Sequence, residues 1–353
     1  MTDSPNPQSA EPTRPASKQG RWKRLCFRLA FSLGVFLLCG VALEIILRLC
    51  GYGNLEIYEP DPQLYWKLKP NQNCYTKVDH KAVHINSHGT RGPEFQIAKP
   101  AGTFRVLSIG DSRTFGWGLS ESETYSGRLQ QLLQEKLGNS RKVEVINAGV
   151  NAWSYPQMSV YFREIAFQYE PDVVILGDAN GWTQFSEKNN PEFSKKVMSR
   201  VRLKNFVRHF AIYHYFIELK LKEFYERNRV KFIPVDPAQD PFFKEQQQTN
   251  ANAVFRAAME QFCAFALEKQ IQPILLYMPT LDNFSATNAP ADLETKRELS
   301  RKINIPLVDI SPALKADAKS FYLEADPVHL NGAGNKIIAR ELYDCLSSLP
   351  TFR

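Results

Sequence analysis

A serine, a histidine and an aspartate in this 353-residue chain stand where they can do nucleophilic chemistry. Ser112 follows the short apolar run Val106–Ile109 and the pair Gly110-Asp111. A run of that length reads as a buried strand, and a helical pattern follows from about Glu123. A strand that ends in a small turn and hands over to a helix lifts the turn residue out at the carboxyl edge of a sheet, where open α/β folds keep their chemistry. A serine hydroxyl is a weak nucleophile at neutral pH and needs a base within hydrogen-bond reach. The candidate base lies late in the chain, in Asp326-Pro-Val-His329. In a tight turn, residues three apart fold toward each other. Asp326 can then hold one imidazole nitrogen and leave the other facing Ser112. Taken alone, an Asp-x-x-His turn reads as a solvated loop; its place at the same sheet edge gives it weight.

Nucleophilic attack on a carbonyl builds negative charge that needs placed donors. Three strand ends offer them: the Ser112 amide, Gly149 after a second strand, and the Asn180 side chain after a third. Glycine brings its amide close because it has no side chain.

The elements that must position these groups alternate in type. Strands are predicted at Val106–Ile109, Val143–Ile146, Val173–Leu176, Ile274–Tyr277 and Leu307–Ile310. Helices are predicted at Thr124–Leu137, at Pro156–Tyr169 and from about Gly332 to Leu346, the last capped by Asn331. Short apolar strands separated by helices mean parallel βαβ units covered by helices on both faces. The gap from about Trp182 to Thr249 departs from this rhythm. It holds an expected long helix, Asn205 to Val230, which can roof a site, rest on a membrane surface or pack in an enlarged domain; the last is the plainest reading. His209 and His214 within it read as half-buried aromatic neighbours.

Ahead of this domain (105–353, insertion about 182–249) lie three further stretches. Residues 1–24 form a polar cytoplasmic tail, 25–49 a transmembrane helix and 50–104 a connecting region of turns and short strands. Spanning a bilayer takes ~20 largely apolar residues, a length that Leu25–Leu49 provides. Glu44 and Arg48 sit four apart near its far end and can pair. A long basic part before the apolar stretch, and no A-x-A-like site after it, oppose a cleaved signal peptide. Leu-Arg-Leu before Cys50 opposes a lipidated cysteine. The basic cluster places the N-terminus in the cytoplasm and the main domain outside.

The formal charge is +7. Arg14, Lys18, Arg21, Lys23, Arg24 and Arg28 against Asp3 and Glu11 put +4 of it in residues 1–28. Basicity therefore belongs to the tail, and no nucleic-acid partner is expected. The six cysteines have no metal-ligand spacing. Cys74, Cys263 and Cys345 can form a disulfide in an oxidising compartment or remain separate buried thiols. His80 and His84 are four apart, but a metal pair at that spacing needs a helix, and the local Pro and Gly oppose one.

Gly110-Asp111-Ser112, Gly149, Asn180 and Asp326-x-x-His329, in that order, resemble the SGNH (GDSL-type) hydrolase superfamily. The approach Ile85-Asn-Ser-His-Gly-Thr-Arg-Gly-Pro-Glu94 and the continuation Thr114-Phe-Gly-Trp-Gly118 resemble its membrane-anchored bacterial members. The resemblance implies a flavodoxin-like three-layer α/β/α fold, a Ser–His–Asp site and no cofactor or metal. It implies Ser112 as nucleophile, His329 as general base and Asp326 as its orienter. Ser112, Gly149 and Asn180 become the oxyanion hole. The third block departs from the family's Gly-x-Asn-Asp: here it reads Asp178-Ala-Asn180-Gly181. The Asp178 carboxylate repels an oxyanion if it points inward; otherwise it faces Arg113 or solvent.

The leading expectation is a membrane-anchored, extracytoplasmic serine esterase or deacylase. It acts on a small-molecule or glycan ester through a covalent acyl-enzyme. With a glycan hydroxyl as acceptor, the same machinery is an O-acyltransferase, favoured if the insertion excludes water. A fold kept without catalysis is a binding or assembly protein, supported by the altered third block. Nucleotide binding lacks its glycine-rich signatures. Arg113, Trp117, Trp153, Tyr155 and Trp182, each after a strand, are expected to line the substrate pocket.

Overall fold

The structure, a computed structural model, describes residues 18–76, 81–137, 141–179, 191–221, 251–285, 290–324 and 326–352. The chain divides into two compact units, Met1–Gly51 and Tyr52–Arg353.

The first unit is helix α1, Lys18–Leu49. Its portion Trp22–Leu49 is long and apolar enough to cross a membrane, and Phe27, Phe31, Phe36 and Leu38 are exposed along it. Arg48 Nε donates to Glu44 Oε1 at 2.8 Å, as the i,i+4 spacing implied.

The second unit opens with two antiparallel hairpins, β1 Tyr58–Asp61 with β2 Tyr65–Leu68, and β3 Gln72–Tyr75 with β4 Ala82–Ile85. Strand–helix alternation follows: β5 Thr103–Gly110, α2 Ser112–Phe115, α3 Tyr125–Leu137, β6 Lys142–Gly149, α4 Tyr155–Glu164 and β7 Val173–Leu176. Helix α5, Pro191–Arg208, and a π-helical segment, Tyr213–Leu221, interrupt it. It resumes with α6 Ala251–Glu268, β8 Gln272–Tyr277, α7 Ala291–Ile303, β9 Leu307–Asp309 and α8 Gly332–Ser348. Asn331 caps α8, its Oδ1 accepting from the Ala333 and Gly334 amides.

The five-stranded sheet has the order β6-β5-β7-β8-β9 and is parallel throughout. The first strand stands beside the second and the third, which is the flavodoxin-like order and creates a switch point at the carboxyl end of β5. Every residue of β5 is buried, as a central strand covered on both faces requires. Alternate side chains feed two cores. Leu107, Ile109, Val174 and Leu275 pack with Met158 and Phe162 of α4 and Met259 and Phe262 of α6. Val106, Val173, Ile274 and Leu276 pack with Leu129 and Leu133 of α3 and Ile338, Leu342 and Leu346 of α8. Each such side chain contributes about 1.5–3 kcal/mol on burial, so both faces of the sheet are driven shut. The result is a three-layer α/β/α fold.

Two predicted helices differ. Pro156–Tyr169 is broken at Ile165 (φ −126°, ψ −62°) and continues as a 3₁₀ turn, Ala166–Tyr169. The expected helix Asn205–Val230 is instead the end of α5 and the separate π-helical segment; residues 222–230 lie outside the described ones. Apolar and basic residues persist across the break, so composition carried no sign of it. His214 is fully buried and accepts the Gly53 amide at Nδ1 (3.0 Å), whereas His209 is exposed.

The 52–68 stretch is built into the second unit. Trp66 Nε1 donates to Asn151 O (3.0 Å), Trp153 Nε1 to Trp66 O (2.9 Å) and Gln157 Nε2 to Leu64 O (2.7 Å). The described part of the insertion rests on the same stretch. Tyr58 N donates to Asn205 Oδ1 (3.1 Å) and Arg208 Nη1 to Glu56 O (2.6 Å).

Cys74, Cys263 and Cys345 are free thiols. Burial pushes Cys74 and Cys263 up to about 12, so they are protonated core residues. His84 lies on β4 and shares a 2.7 Å hydrogen bond with Asn73 Oδ1; His80 is outside the described residues.

Candidate active site

Register builds the site. Gly110 pairs with Gly149 and Ile109 with Leu176, so three strand ends come level at one edge. At that edge the chain turns into α2. Asp111 is its N-cap, with Oδ1 accepting the Arg113 amide at 2.9 Å. Ser112 thereby takes the first helical position, where a backbone N–H has no intrahelical acceptor. One turn later Gly116 adopts a left-handed conformation (φ 86°) and its amide closes on Ser112 O at 3.0 Å.

The far end of α2 is held from outside. Arg91, itself buried, donates to Phe115 O (2.8 Å), Gly116 O (2.8 Å) and Leu119 O (2.6 Å). Asn147 Nδ2 donates to Thr114 O at 2.9 Å. Burial lowers the Arg91 guanidinium to about 10 against the pull of Glu121; it is still a cation at neutral pH.

Ser112 Oγ lies 2.8 Å from His329 Nε2, and His329 Nδ1 lies 2.7 Å from Asp326 Oδ2. Asp326 Oδ1 also accepts the Val328 (2.9 Å) and His329 (3.1 Å) amides. That is how three-residue spacing folds the carboxylate back onto the ring. Burial pushes the Asp326 carboxyl up, but the His329 hydrogen bond and charge, with the two amides, outweigh it and hold it below the usual aspartate range. The Trp117 indole stacks on the imidazole, centroids 5.7 Å apart at 25°. Ser112, His329 and Asp326 thus form one continuous hydrogen-bonded relay, the order that a nucleophile, a base and its orienter require.

Of the predicted oxyanion donors, Ser112 and Gly149 lie among the described residues. The Gly149 amide donates to Asn147 Oδ1 at 3.0 Å. The residue is glycine for another reason: a Cβ there would stand 2.2 Å from Phe115 N and 2.6 Å from Thr114 C. Asn180 and Trp182 lie outside the described residues.

Asp178 faces neither the serine nor solvent. It is fully buried: Oδ1 accepts from Lys296 Nζ, Oδ2 accepts the Met278 amide, and Arg113 Nη1 lies 3.5 Å from Oδ2. Arg113 also forks onto Asp111 (Nη2 to Oδ2, 2.9 Å) and donates to Met278 O and Ala179 O at 3.0 Å each. Burial disfavours the Arg113 cation, yet Asp111 and Asp178 more than compensate and raise its pKa. Asp111 and Asp178 are thus paired with Arg113 and Lys296 beneath the carboxyl edge of the sheet.

Of the five expected pocket residues, Trp117 stands beside the relay. Arg113 is spent in these pairings. Trp153 and Tyr155 are core side chains, because α4 starts directly under the sheet and its first turn points inward.

Sequence reasoning passed over Lys296, Arg91 and Asn147. Lys296 had a signal: it shares the inward stripe of α7 with Leu293 and Leu299. A lysine at a core position demands a buried acid. Arg91 lay inside the Ile85–Glu94 block that carried the resemblance but was given no role there, and Asn147 had no signal beyond lying near a turn.

The model of the GDSL-like lipase/acylhydrolase family matches residues 108–337. Among solved structures, the chain is similar to an acetylxylan esterase from Geobacillus stearothermophilus, at 15% identity over 71% of this chain and 96% of that one, with a TM-score of 0.45. It is also similar to a GDSL-like lipase from Bacteroides thetaiotaomicron, at 13% identity over 68% and 86%, with a TM-score of 0.38. No curated protein matches the chain.

Proposed function

The chain belongs to the GDSL-like lipase/acylhydrolase family, and on that premise we propose that it is a membrane-anchored serine esterase or deacylase working through Ser112, His329 and Asp326. The observation that carries the reading is the unbroken relay Asp326–His329–Ser112, with its two contacts of 2.7 and 2.8 Å.

In this reading Ser112 Oγ attacks the ester carbonyl carbon as His329 Nε2 takes its proton. His329 returns that proton to the departing alcohol, leaving an acyl-enzyme. Water, deprotonated by the same nitrogen, releases the acid. Asp326 holds the ring through Nδ1 and offsets the imidazolium charge. The oxyanion is met by the Ser112 amide. The Gly149 amide joins by sharing its hydrogen with Asn147 Oδ1, and Asn180 is the third donor that the family resemblance implies. A donor of this kind is worth roughly 10²–10³ in rate. Lys296, Arg113 and the Met278 amide engage the Asp178 carboxylate, which supports a hole free of opposing charge. The apolar stretch Trp22–Leu49 and the basic residues before it support an anchor with the catalytic unit outside the cytoplasm, acting on a glycan or small-molecule ester.

The test is fluorophosphonate labelling of the full chain in detergent micelles. Wild type is expected to label and Ser112→Ala to stay unlabelled; a folded, unlabelled wild type overturns the reading. Acetyl-ester turnover with and without oligosaccharide separates hydrolysis from transfer, since an acylated sugar product identifies an acyltransferase.

A further inference from the structure

Helix α5 carries two faces. Inward, Asn205 and Arg208 bond the Glu56–Tyr58 backbone. Outward, Leu203 and Phe206 stand one turn apart, 65% and 62% exposed, and exposed Phe210 follows two residues past the end of α5. The Phe206 and Phe210 rings meet edge-on at 5.3 Å. Phe216 and Ile217 of the following π-helical segment are exposed as well. Exposed cations flank the apolar side chains: Arg200, Arg202 and Lys204 on α5, and Lys220 on the segment. Large exposed apolar side chains interleaved with basic ones are the composition of an interfacial element, whose apolar face enters the headgroup boundary while its cations meet anionic lipid.

The apolar helix ends at Leu49, and only Cys50 and Gly51 precede Tyr52. Three residues of chain reach at most about 10 Å. Tyr52 is already docked on the π-helical segment, its ring edge-on to His214 (5.6 Å) and Tyr215 (5.0 Å), and the next amide, Gly53, is bonded to His214. If Leu49 stands at the bilayer surface, chain length alone keeps Tyr52, and the His214–Tyr215 turn whose rings it meets, within about 10 Å of it.

We propose that the outward face of α5 and the segment after it, Leu203, Phe206, Phe210, Phe216 and Ile217 with Arg200, Arg202 and Lys204, docks on the anionic lipid surface of the membrane that α1 crosses. The inference rests on the anchor reading above. Docking would hold the catalytic unit against the bilayer through a second contact and restrict its orientation there. An anchored enzyme whose unit swung freely would have no use for exposed Phe206.

The full chain is reconstituted in phosphatidylcholine vesicles with about one quarter phosphatidylglycerol, carrying the photoreactive residue p-benzoylphenylalanine at Phe206 or Phe210. The same residue at Phe36 of α1 reports the anchor, and at exposed Ile97, whose carbonyl accepts from Arg105 of β5, the background. Fluorophosphonate labelling confirms that each variant is folded. Lipid adducts are expected at Phe206, Phe210 and Phe36 and not at Ile97. In the Arg202→Gln variant the Phe206 adduct is expected to fall about five-fold, the effect of one surface cation. Adducts at Phe36 without any at Phe206 and Phe210 overturn the docking while the anchor stands. Adducts at none of the three overturn both.

Discussion

Lys296 and Asp178 form an ion pair with no exposure of either side chain, joining α7 to the end of β7 across 118 residues of sequence. Lys296 Nζ also donates to Leu276 O at 2.5 Å and lies 5.6 Å from the centroids of Tyr155 and Tyr277. Where the family places glycine in its third block, this chain places a buried acid and supplies a buried base to match.

Breaking that pair from one side leaves an uncompensated charge. Lys296→Met is expected to lower stability by about 3–5 kcal/mol, seen as a fall in Tm of the detergent-solubilised chain. The double variant Asp178→Asn with Lys296→Met should recover much of the loss. A double variant as unstable as the sum of the singles would mean the two side chains are not coupled.

Asp326 gives a pH signature. Its folded pKa is depressed, so its contribution to stability is present above the unfolded value of about 3.9 and is lost as pH falls through the folded value. Asp326→Asn should therefore be less stable than wild type near neutrality, with the gap closing as pH falls below about 4. Its kcat should drop on the order of 10⁴, because the imidazole loses the partner that sets its tautomer. Urea midpoints at several pH values and steady-state rates check the two halves separately.

Gly149→Ala sets a methyl group against backbone: Phe115 N at 2.2 Å and Thr114 C at 2.6 Å. Backbone cannot rotate away as a side chain can, so α2 must shift. A loss of about 1–3 kcal/mol is expected, together with slowed fluorophosphonate labelling of Ser112. Unchanged labelling would show that α2 has room the structure does not reveal.

Arg91 ties off three carbonyls at the end of α2 and just beyond it. In Arg91→Met, Gly116 O keeps the Leu119 amide (3.1 Å) and Phe115 O the Asn147 side chain (3.4 Å), so Leu119 O is the carbonyl that loses its donor, at about 1–3 kcal/mol. Arg91→Lys cannot span all three and should rescue little. The expected kinetic effect falls on kcat more than KM, since Ser112 moves relative to His329; a pure KM effect would place Arg91's influence on substrate instead.

Several features were legible from local sequence because local physics makes them. Val173–Leu176 is an unbroken apolar quartet and forms β7 with those bounds. Asn331 before a glycine-started apolar pattern can only cap. Asp326 and His329 meet because a three-residue turn folds a carboxylate onto a ring whatever surrounds it. The α/β/α layering followed from strands apolar on both faces. Tertiary structure decided what depends on distant partners. Asp178 is neutralised by a lysine from α7, the Gly149 amide is engaged by Asn147, and Trp153 and Tyr155 turn into the core. The insertion rests on the Gly53–Tyr58 stretch rather than standing alone. Periodicity reports which face of an element is buried. It carries no information on which charge across 118 residues will meet another, because that pairing is set by how the layers stack.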